Sequence, residues 1–596
     1  MDCRTYPNLV VLFFEQAKAR GERPFLWVRE GESWRATSWS ETRRQVVSLA
    51  HGLRKLGLER GDRVALISEN RPEWVIADLA ILAAGGITVP AYTTNTSDDH
   101  RHILSNSGAR FVIVSTAALA QRVLPAIEQV SSVDTLIAIE RPEPGQLSHA
   151  ELHMWQDVMA AGAGPAEEVE AWARDIGRTD LACLIHTSGT GGVPKGVMTT
   201  HGNILANCHG AVRLLETIGL GDEVFLSFLP LSHSYEHTGG MFFPIALGAQ
   251  IYFAERVEAL AANMLEVRPT IMTAVPRLYE TMHQRILRQM EREGGMKSKL
   301  FFAALRIGRK RIEDRRSLTV GERALDTLLD RLVRKKVMAR FGGRLKALVS
   351  GGAPLNPEIG MFFLALGVPL LQGYGQTEAS PVVSANPPNR IKIETVGPPL
   401  DGVEIEFAED GEILVRGEAV MKGYWNDPEA TRRTIENGWL HTGDIGRRDQ
   451  DGYIVITDRK RDFIKNSGGD MISPARVEGE LVMQHEIGQA MVFGDRRPYL
   501  VAVIVPRQEF LDQFTRGHRR DGDGQALDTA LHKAIAGAVE RVNAELPVAE
   551  RIRRFVVARE PFSIQNGLMT PTLKIKRHAI RDVYGEALAG LYEAKA

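Results

Sequence analysis

Between Thr187 and Gly196 the chain reads TSGTGGVPKG, with four glycines, two threonines, one serine and Lys195 in ten residues. Glycines let a backbone come close to a ligand, and free N–H groups and hydroxyls suit phosphate oxygens. Lys195 adds a point charge for a polyphosphate. An ordinary surface loop rich in turn residues has the same composition, and that reading stays open on the loop alone. A Walker A loop is excluded, because it needs Gly-Lys-Ser/Thr and Lys195 sits between Pro194 and Gly196.

Further polar clusters are spread along the chain. SGGAPL (Ser350–Leu355) and QGYGQTE (Gln372–Glu378) each follow an apolar run, so both read as glycine turns at strand ends, where open α/β sheets bind ligands. Tyr374 offers a flat face for a base. Thr377 and Glu378 offer oxygen ligands, and a carboxylate beside phosphates is how Mg²⁺ is usually held. Singly, Glu378 also reads as an ordinary loop carboxylate. HTGD (His441–Asp444) places a carboxylate after a glycine turn, where it can accept from both ribose hydroxyls or close an Asx-turn. DRKRDFI (Asp458–Ile464) and KNSGGDMISP (Lys465–Pro474) come next. Near the end, TPTLKIKR (Thr570–Arg577) alternates Lys574 and Lys576 with Leu573 and Ile575, a pattern that also fits the polar face of an edge strand.

The elements that must position these groups alternate between strand and helix. Apolar runs at Val64–Ile67, Ile87–Val89, Phe111–Val114, Leu136–Ile139, Leu181–Ile185, Val224–Phe228, Ile251–Phe253, Ile271–Val275 and Leu345–Ser350 read as strands. Pro72 opens a helical pattern that stops at Gly85–Gly86. Strands separated by helices imply βαβ units and buried sheets. From about His283 to Arg340 the chain is helical and strongly basic, which reads as a solvated helical hairpin, with contact to anionic lipid or an acidic partner as the alternative. After Gly402, hairpin signals flank Asp410–Gly411 and Asp451–Gly452. The stretch from about Asp458 to the end suits a separate α+β unit, with Arg516–Gly524 its most loop-like segment.

At 596 residues the chain exceeds one ordinary core. A net charge of −1 supplies no overall field for nucleic acid. Three cysteines (Cys3, Cys183, Cys208) lack metal-ligand spacing and argue against a disulfide framework, so a reducing, cytoplasmic setting is expected. The apolar stretch from Trp74 to Pro90 carries Asp78 and two glycines, and therefore reads as a buried helix and strand, not a membrane span. Peripheral membrane contact and a homodimer remain open.

Taken in order, the phosphate loop, FLPLSHSYEHTGG (Phe228–Gly240), SGGAPL, YGQTE, HTGD, DRKRD and the lysine motif resemble the adenylate-forming superfamily of acyl-CoA synthetases, luciferases and peptide-synthetase adenylation domains. The resemblance spans about residues 10–580. The basic helical insertion, AVPRLYE (Ala274–Glu280), ITDRKRDFIKNSGG and TPTLKIKR look like the long-chain fatty acyl-CoA synthetase branch. One departure is Gly191, where many relatives carry a second threonine.

The resemblance implies an α/β fold. A large N-terminal domain (1–458) would hold βαβ sheet subdomains, the helical insertion at about 283–340 and a small β-barrel-like subdomain at about 396–458. A small mobile α+β cap (459–596) would carry the catalytic lysine. The implied co-substrates are ATP, coenzyme A and a fatty acid, with Mg²⁺ as cofactor. Thr187, Ser188, Gly189, Thr190, Gly191, Gly192 and Lys195 would bind the β- and γ-phosphates. Glu378 and Thr187 would hold Mg²⁺. Gly352, Ala353, Gln372, Tyr374, Gly375, Gln376 and Thr377 would form the rest of the nucleotide site, with Asp444 and Arg459 on the ribose. Lys574 would bridge substrate carboxylate and α-phosphate, and Arg461 would be the hinge. His233 matches a site position near the carboxylate and pantetheine, although a core histidine fits the same spot. His237 lies where some long-chain enzymes place a tunnel gate. A carrier-protein acyl-AMP ligase and a nucleotide-binding scaffold without turnover are the competing readings.

Overall fold

The computed structural model describes residues 2–143, 149–187, 193–460, 463–468, 470–518, 524–570 and 574–593. The chain divides into two compact units. The larger comprises Met1–Ala408, Ile413–Thr442 and Arg448–Val455, and the smaller comprises Glu409–Glu412, Gly443–Arg447 and Ile456–Ala596. The division is therefore not a single cut at 458/459. The two short segments go with the C-terminal part because Lys460 pairs with Asp410 at 2.5 Å and Glu412 at 3.0 Å, while the Gly443 N–H donates to Glu412 Oε1 at 2.8 Å.

Two eight-stranded sheets carry the larger unit. One runs in the order Gly423–Tyr424, Lys195–Thr200, Leu181–Thr187, Ile87–Pro90, Arg63–Ile67, Phe111–Val114, Thr135–Ala138, Glu151–Met154. Its first two pairings are antiparallel and the rest parallel. The other runs Val382–Ala385, Leu370–Gly375, Ala347–Ser350, Ile271–Ala274, Val224–Ser227, Gln250–Phe253, Pro24–Glu30, Ser33–Ser38. It is parallel except at its two edges. The central strands are short and buried throughout, such as the apolar run Phe111–Val114 and Val224–Ser227, as a sheet covered on both faces requires. The strand positions read from the sequence agree within a residue or two, the usual uncertainty of element ends.

The stretch from Trp74 to Pro90 is a buried helix, Pro72–Ala83, followed by the strand Ile87–Pro90. Every residue of that helix but Glu73 is buried, including Asp78. Among the described residues no helix is long and apolar enough to cross a membrane.

The basic region forms helices Pro276–Glu293, Gly295–Glu313, Val320–Leu329 and Lys335–Arg340, with a π turn at Asp330–Arg334. The expectation of a solvated hairpin fails at Arg334, which is 2% exposed. Its guanidinium donates to Ala365 O at 2.9 Å and to Asp326 Oδ1 at 2.6 Å, so the charge is buried only with its bonds made. Gly308 lets this layer close on the helix Pro357–Ala365, since a Cβ there would lie 2.3 Å from Ala365 O.

In the smaller unit the sheet order is Ile487–Phe493, Leu500–Pro506, Ile552–Val557. Leu500, Ala502 and Ile504 face one cluster with Val539 and Val542, and Val501, Val503 and Val505 face another with Ile580 and Leu588. This period of two is what a fully buried central strand produces. Arg516 lies in the helix Gln508–His518, while residues 519–523 of the expected loop lie outside the described residues. Cys3, Cys183 and Cys208 are all buried and none forms a disulfide.

Candidate active site

The larger unit brings together motifs that are far apart in sequence. Thr187 ends one strand and Lys195 begins its antiparallel neighbour, and the two are register partners. Ser188–Gly192, the middle of the expected phosphate loop, lie outside the described residues. Lys195 Nζ pairs with Asp427 Oδ2 at 3.0 Å and sits 5.2 Å from the centre of the Tyr424 ring. Tyr424 OH donates to Glu378 Oε1 at 2.9 Å. A cation–π contact and one hydrogen bond, both through Tyr424, thus connect the lysine end of the loop to the carboxylate of QTE.

The segment around His233 is stitched to both glycine turns. Tyr235 OH donates to Val349 O at 3.0 Å, and Gly351 gives its ring room, because a Cβ there would sit 3.0 Å from Tyr235 Cζ. Ser234 Oγ and Thr377 Oγ1 are 3.0 Å apart, and Thr238 Oγ1 donates to Ser380 O at 3.3 Å. His233 is half-buried and caps the turn, its Nδ1 accepting from the Tyr235 N–H at 3.1 Å, which puts the ring proton on Nε2. Gly352 adopts φ 81°, and Ala353 follows it in the same turn. A Cβ on Gly375 would meet Pro381 O at 1.8 Å, so only glycine fits there.

Gln372, Tyr374, Gly375 and Gln376 are half-buried on and beyond the strand Leu370–Gly375. Gln372 Oε1 and Gln376 Nε2 are buried and lack a protein partner. Orphaned buried amide atoms of this kind suit a ligand with complementary ring edges. Glu378 and Thr187 supply few oxygens by themselves, and among the described residues no three His, Cys, Asp or Glu side chains form a metal cluster. That donor set fits Mg²⁺, which takes one or two protein oxygens and completes its shell with phosphates and water.

Next to His233 the chain holds two buried titratable groups. Glu236 accepts from Ser227 Oγ and Thr273 Oγ1, both at 2.6 Å, and burial pushes its carboxyl up to about 7. His237 Nε2 lies 2.9 Å from Asp78 Oδ2, with Trp74 and Phe242 edge-on to its ring. Burial disfavours its charge, but Asp78 prevails and raises it to about 10. His237 therefore sits in the core as half of an ion pair.

The smaller unit holds the remaining groups. Asp444 is 3% exposed, and its Oδ1 accepts from Arg459 Nε at 3.0 Å. Arg461 lies outside the described residues. Lys574 is exposed, its N–H donates to Thr570 Oγ1 at 3.1 Å and its carbonyl accepts from the Thr570 N–H at 2.8 Å, while residues 571–573 lie outside the described residues. The edge-strand reading is not met among the described residues, since only one isolated bridge, Met569 to Ile575, forms. Arg577 anchors the loop's far side with two 2.6 Å bonds to Glu478.

Sequence reasoning passed over several supports. Asp427 and Tyr424 lie in GYWNDP (Gly423–Pro428), where Asp427 caps the helix Pro428–Thr434. Helix Ser97–Ser107 also braces the loop's arms. His102 Nε2 lies 2.8 Å from Pro194 O, and Asn106 Oδ1 lies 2.9 Å from His186 Nε2.

Residues 13–425 match the profile of a family described as AMP-binding enzyme, and residues 461–596 that of the AMP-binding enzyme C-terminal domain. A long-chain-fatty-acid–CoA ligase of Mycobacterium tuberculosis is 33% identical over 94% of this chain and 92% of its own length. A long-chain-fatty-acid–CoA ligase of Homo sapiens is 29% identical over 98% and 92%. Among solved structures, the adenylation domain of a carboxylate reductase from Mycobacterium chelonae superposes with a TM-score of 0.76 at 22% identity, covering 99% of this chain and 92% of that one. A benzoate CoA ligase from Burkholderia xenovorans superposes with a TM-score of 0.70 at 25% identity, covering 96% and 99%.

Proposed function

The chain belongs to the AMP-binding enzyme family, and from that premise we propose that it is an ATP-dependent long-chain fatty acid–CoA ligase. In the first half-reaction a carboxylate oxygen of the acid attacks the α-phosphorus of ATP. The new C–O–P linkage forms as the bond to pyrophosphate breaks. In the second, the sulfur of coenzyme A attacks the acyl carbon, AMP leaves and the thiol proton goes to solvent or a base.

One observation carries the reading. His233 to Thr238, Val349 to Gly351, Thr377 to Glu378 and Lys195 to Tyr424 are joined by direct hydrogen bonds and a cation–π contact. Two anions must meet in this chemistry, so cations and donors have to be fixed before the substrates arrive. Thr187 and Lys195 are our assignment for the outer phosphates, with Ser188–Gly192 between them. Glu378 and Thr187 would hold Mg²⁺, which when bound screens the phosphate charge. Gly352, Ala353 and Gln372–Tyr374 would flank adenine, and Asp444 with Arg459 would grip the ribose. Lys574 would neutralise charge passing between the carboxylate and the α-phosphate, favouring the transition state over the ground state. Arg461 would be the pivot that withdraws Lys574 before thioester formation.

The test is pyrophosphate release across a panel of carboxylic acids, with and without free coenzyme A. Long-chain acids should give acyl-CoA, AMP and pyrophosphate in equal amounts. Pyrophosphate release with no thioester to free coenzyme A would assign the chain to carrier-protein ligation.

A further inference from the structure

A second polar recess lies at the opposite edge of the sheet that carries Thr187. The strands Arg63–Ile67, Ile87–Pro90 and Leu181–Thr187 are parallel neighbours. Their amino ends open on a cavity of about 230 Å³, lined by Arg60, Gly85, Asp180, Leu181, His201 and Lys422 among others. Thr187, at the far end of the last strand, is about 20 Å away at about 3.3 Å per residue. None of the described residues assigned to the ligase chemistry lines this cavity.

His201 supplies its floor and is 1% exposed. Its Nδ1 accepts from the Leu9 N–H at 3.4 Å, so the ring proton is on Nε2. Burial pushes the imidazole down to about 4, which leaves it a neutral donor at pH 7. That Nε2–H has no hydrogen-bond partner among the described residues, and a buried donor left so points to a guest. Arg60 and Lys422 line the same cavity and are exposed, so they stand at its mouth. The Lys422 ammonium has no partner among the described residues. Arg60 is held in place, its Nη2 donating to Asp180 Oδ2 at 2.6 Å and to Asp175 O at 3.2 Å. Its stem runs beside Gly85, where a Cβ would lie 3.5 Å from Arg60 Cγ. Asp180 Oδ2 also accepts from the Gly177 N–H at 2.9 Å. The cavity therefore faces two cations and one carboxylate that is already bonded.

We propose that this cavity binds a small phosphoryl anion, orthophosphate or pyrophosphate, held by His201 Nε2–H from the floor and by Arg60 and Lys422 from the mouth. Its size excludes a nucleotide, since sites for ligands of that bulk begin at roughly 300 Å³. A cation would be repelled by Arg60 and Lys422, and an apolar guest would leave the His201 donor unmet. A water could accept from His201 but would leave the lysine charge uncompensated. A tetrahedral oxyanion presents acceptors in diverging directions, which suits donors arriving from three separate segments of the chain. Its bonds to the two cations would be charge-assisted and therefore short and strong.

The test is equilibrium dialysis of the full-length protein against radiolabelled orthophosphate and, separately, pyrophosphate. Mg²⁺ and α,β-methylene-ATP are added to fill the proposed catalytic site with a nucleotide that cannot release pyrophosphate. Wild type should still retain one saturable equivalent of anion. Lys422→Ala and Arg60→Gln should each weaken that binding about 10- to 100-fold. Both change exposed side chains and should keep the wild-type melting temperature. Lys195→Ala, in the proposed phosphate loop, should leave the retained equivalent intact. These three variants locate the anion even if the nucleotide analogue does not bind, so failure of the ligase reading and failure of this one remain distinguishable. Tighter retention of pyrophosphate would identify the guest as the product of adenylation, and equal or tighter retention of orthophosphate would identify it as free phosphate. The proposal is overturned if neither anion is retained, because the cavity then holds water only. It is also overturned if Lys422→Ala and Arg60→Gln bind as wild type does, or if Lys195→Ala abolishes the binding.

Discussion

The turn Ser234–Gly240 and the loop Thr570–Lys576 solve opposite problems. In the first, Tyr235, Glu236, His237 and Thr238 are all buried, and each polar group is bonded to a neighbouring strand, helix or turn. In the second, Lys574 is exposed, its backbone bonds to Thr570, and the Lys576 N–H donates to Leu568 O. In the first arrangement, removing one partner leaves a buried polar group orphaned, at a cost in stability. In the proposed chemistry the second would let Lys574 serve one half-reaction without tying the fold to its position.

The comparison predicts where substitutions hurt. Asp78→Ala should cost about 3–5 kcal/mol of stability, because it strips the partner from a buried histidinium, and denaturant unfolding would measure it. Lys574→Ala should leave that stability unchanged while lowering adenylation about 100- to 1000-fold in a pyrophosphate-release assay. Thioester formation from a supplied acyl-adenylate should largely survive in that variant, and equal loss of both steps would break the contrast.

Glu236 gives a pH test of the buried turn. Its folded value of about 7 lies above that of an unfolded glutamate, so the native state binds the extra proton between roughly pH 4.5 and 7. Wild-type stability should therefore fall by about 3 kcal/mol as pH rises through that window. Glu236→Gln should lack this slope, gaining on wild type at pH 8. The smallest effect is expected for Tyr424→Phe, which removes the donor on Glu378. A loss of about tenfold in adenylation at limiting Mg²⁺, recovered at high Mg²⁺, would place that hydroxyl in support of metal use.

Much of the architecture was legible because its signals are local. Buried strands read as apolar runs, Pro72 and Gly85 bracketed a helix, and the glycine turns at Gly352 and Gly375 sat at strand ends as expected. Asp78 was legible as a reason against a membrane span, but not as the partner of His237, which lies 159 residues away. The same holds for Tyr424, whose two-residue strand acquires meaning only by pairing with Val197 and Met198. Arg334 looked like one more solvated cation, because nothing in a run of Arg and Lys marks the one that turns inward to Ala365. The lysine motif alternated like a strand, yet among the described residues it makes one isolated bridge, Met569 to Ile575, and no ladder.

The three sequestered cysteines have a consequence for an enzyme that handles a free thiol. Burial pushes the Cys3 sulfhydryl up to about 11 and that of Cys208 well above its ordinary value. Disulfide exchange requires an accessible sulfur anion, and all three sulfurs are buried. Oxidised coenzyme A or glutathione should consequently leave no covalent adduct on the native chain, so its output would follow the supply of reduced acceptor and not damage to the protein.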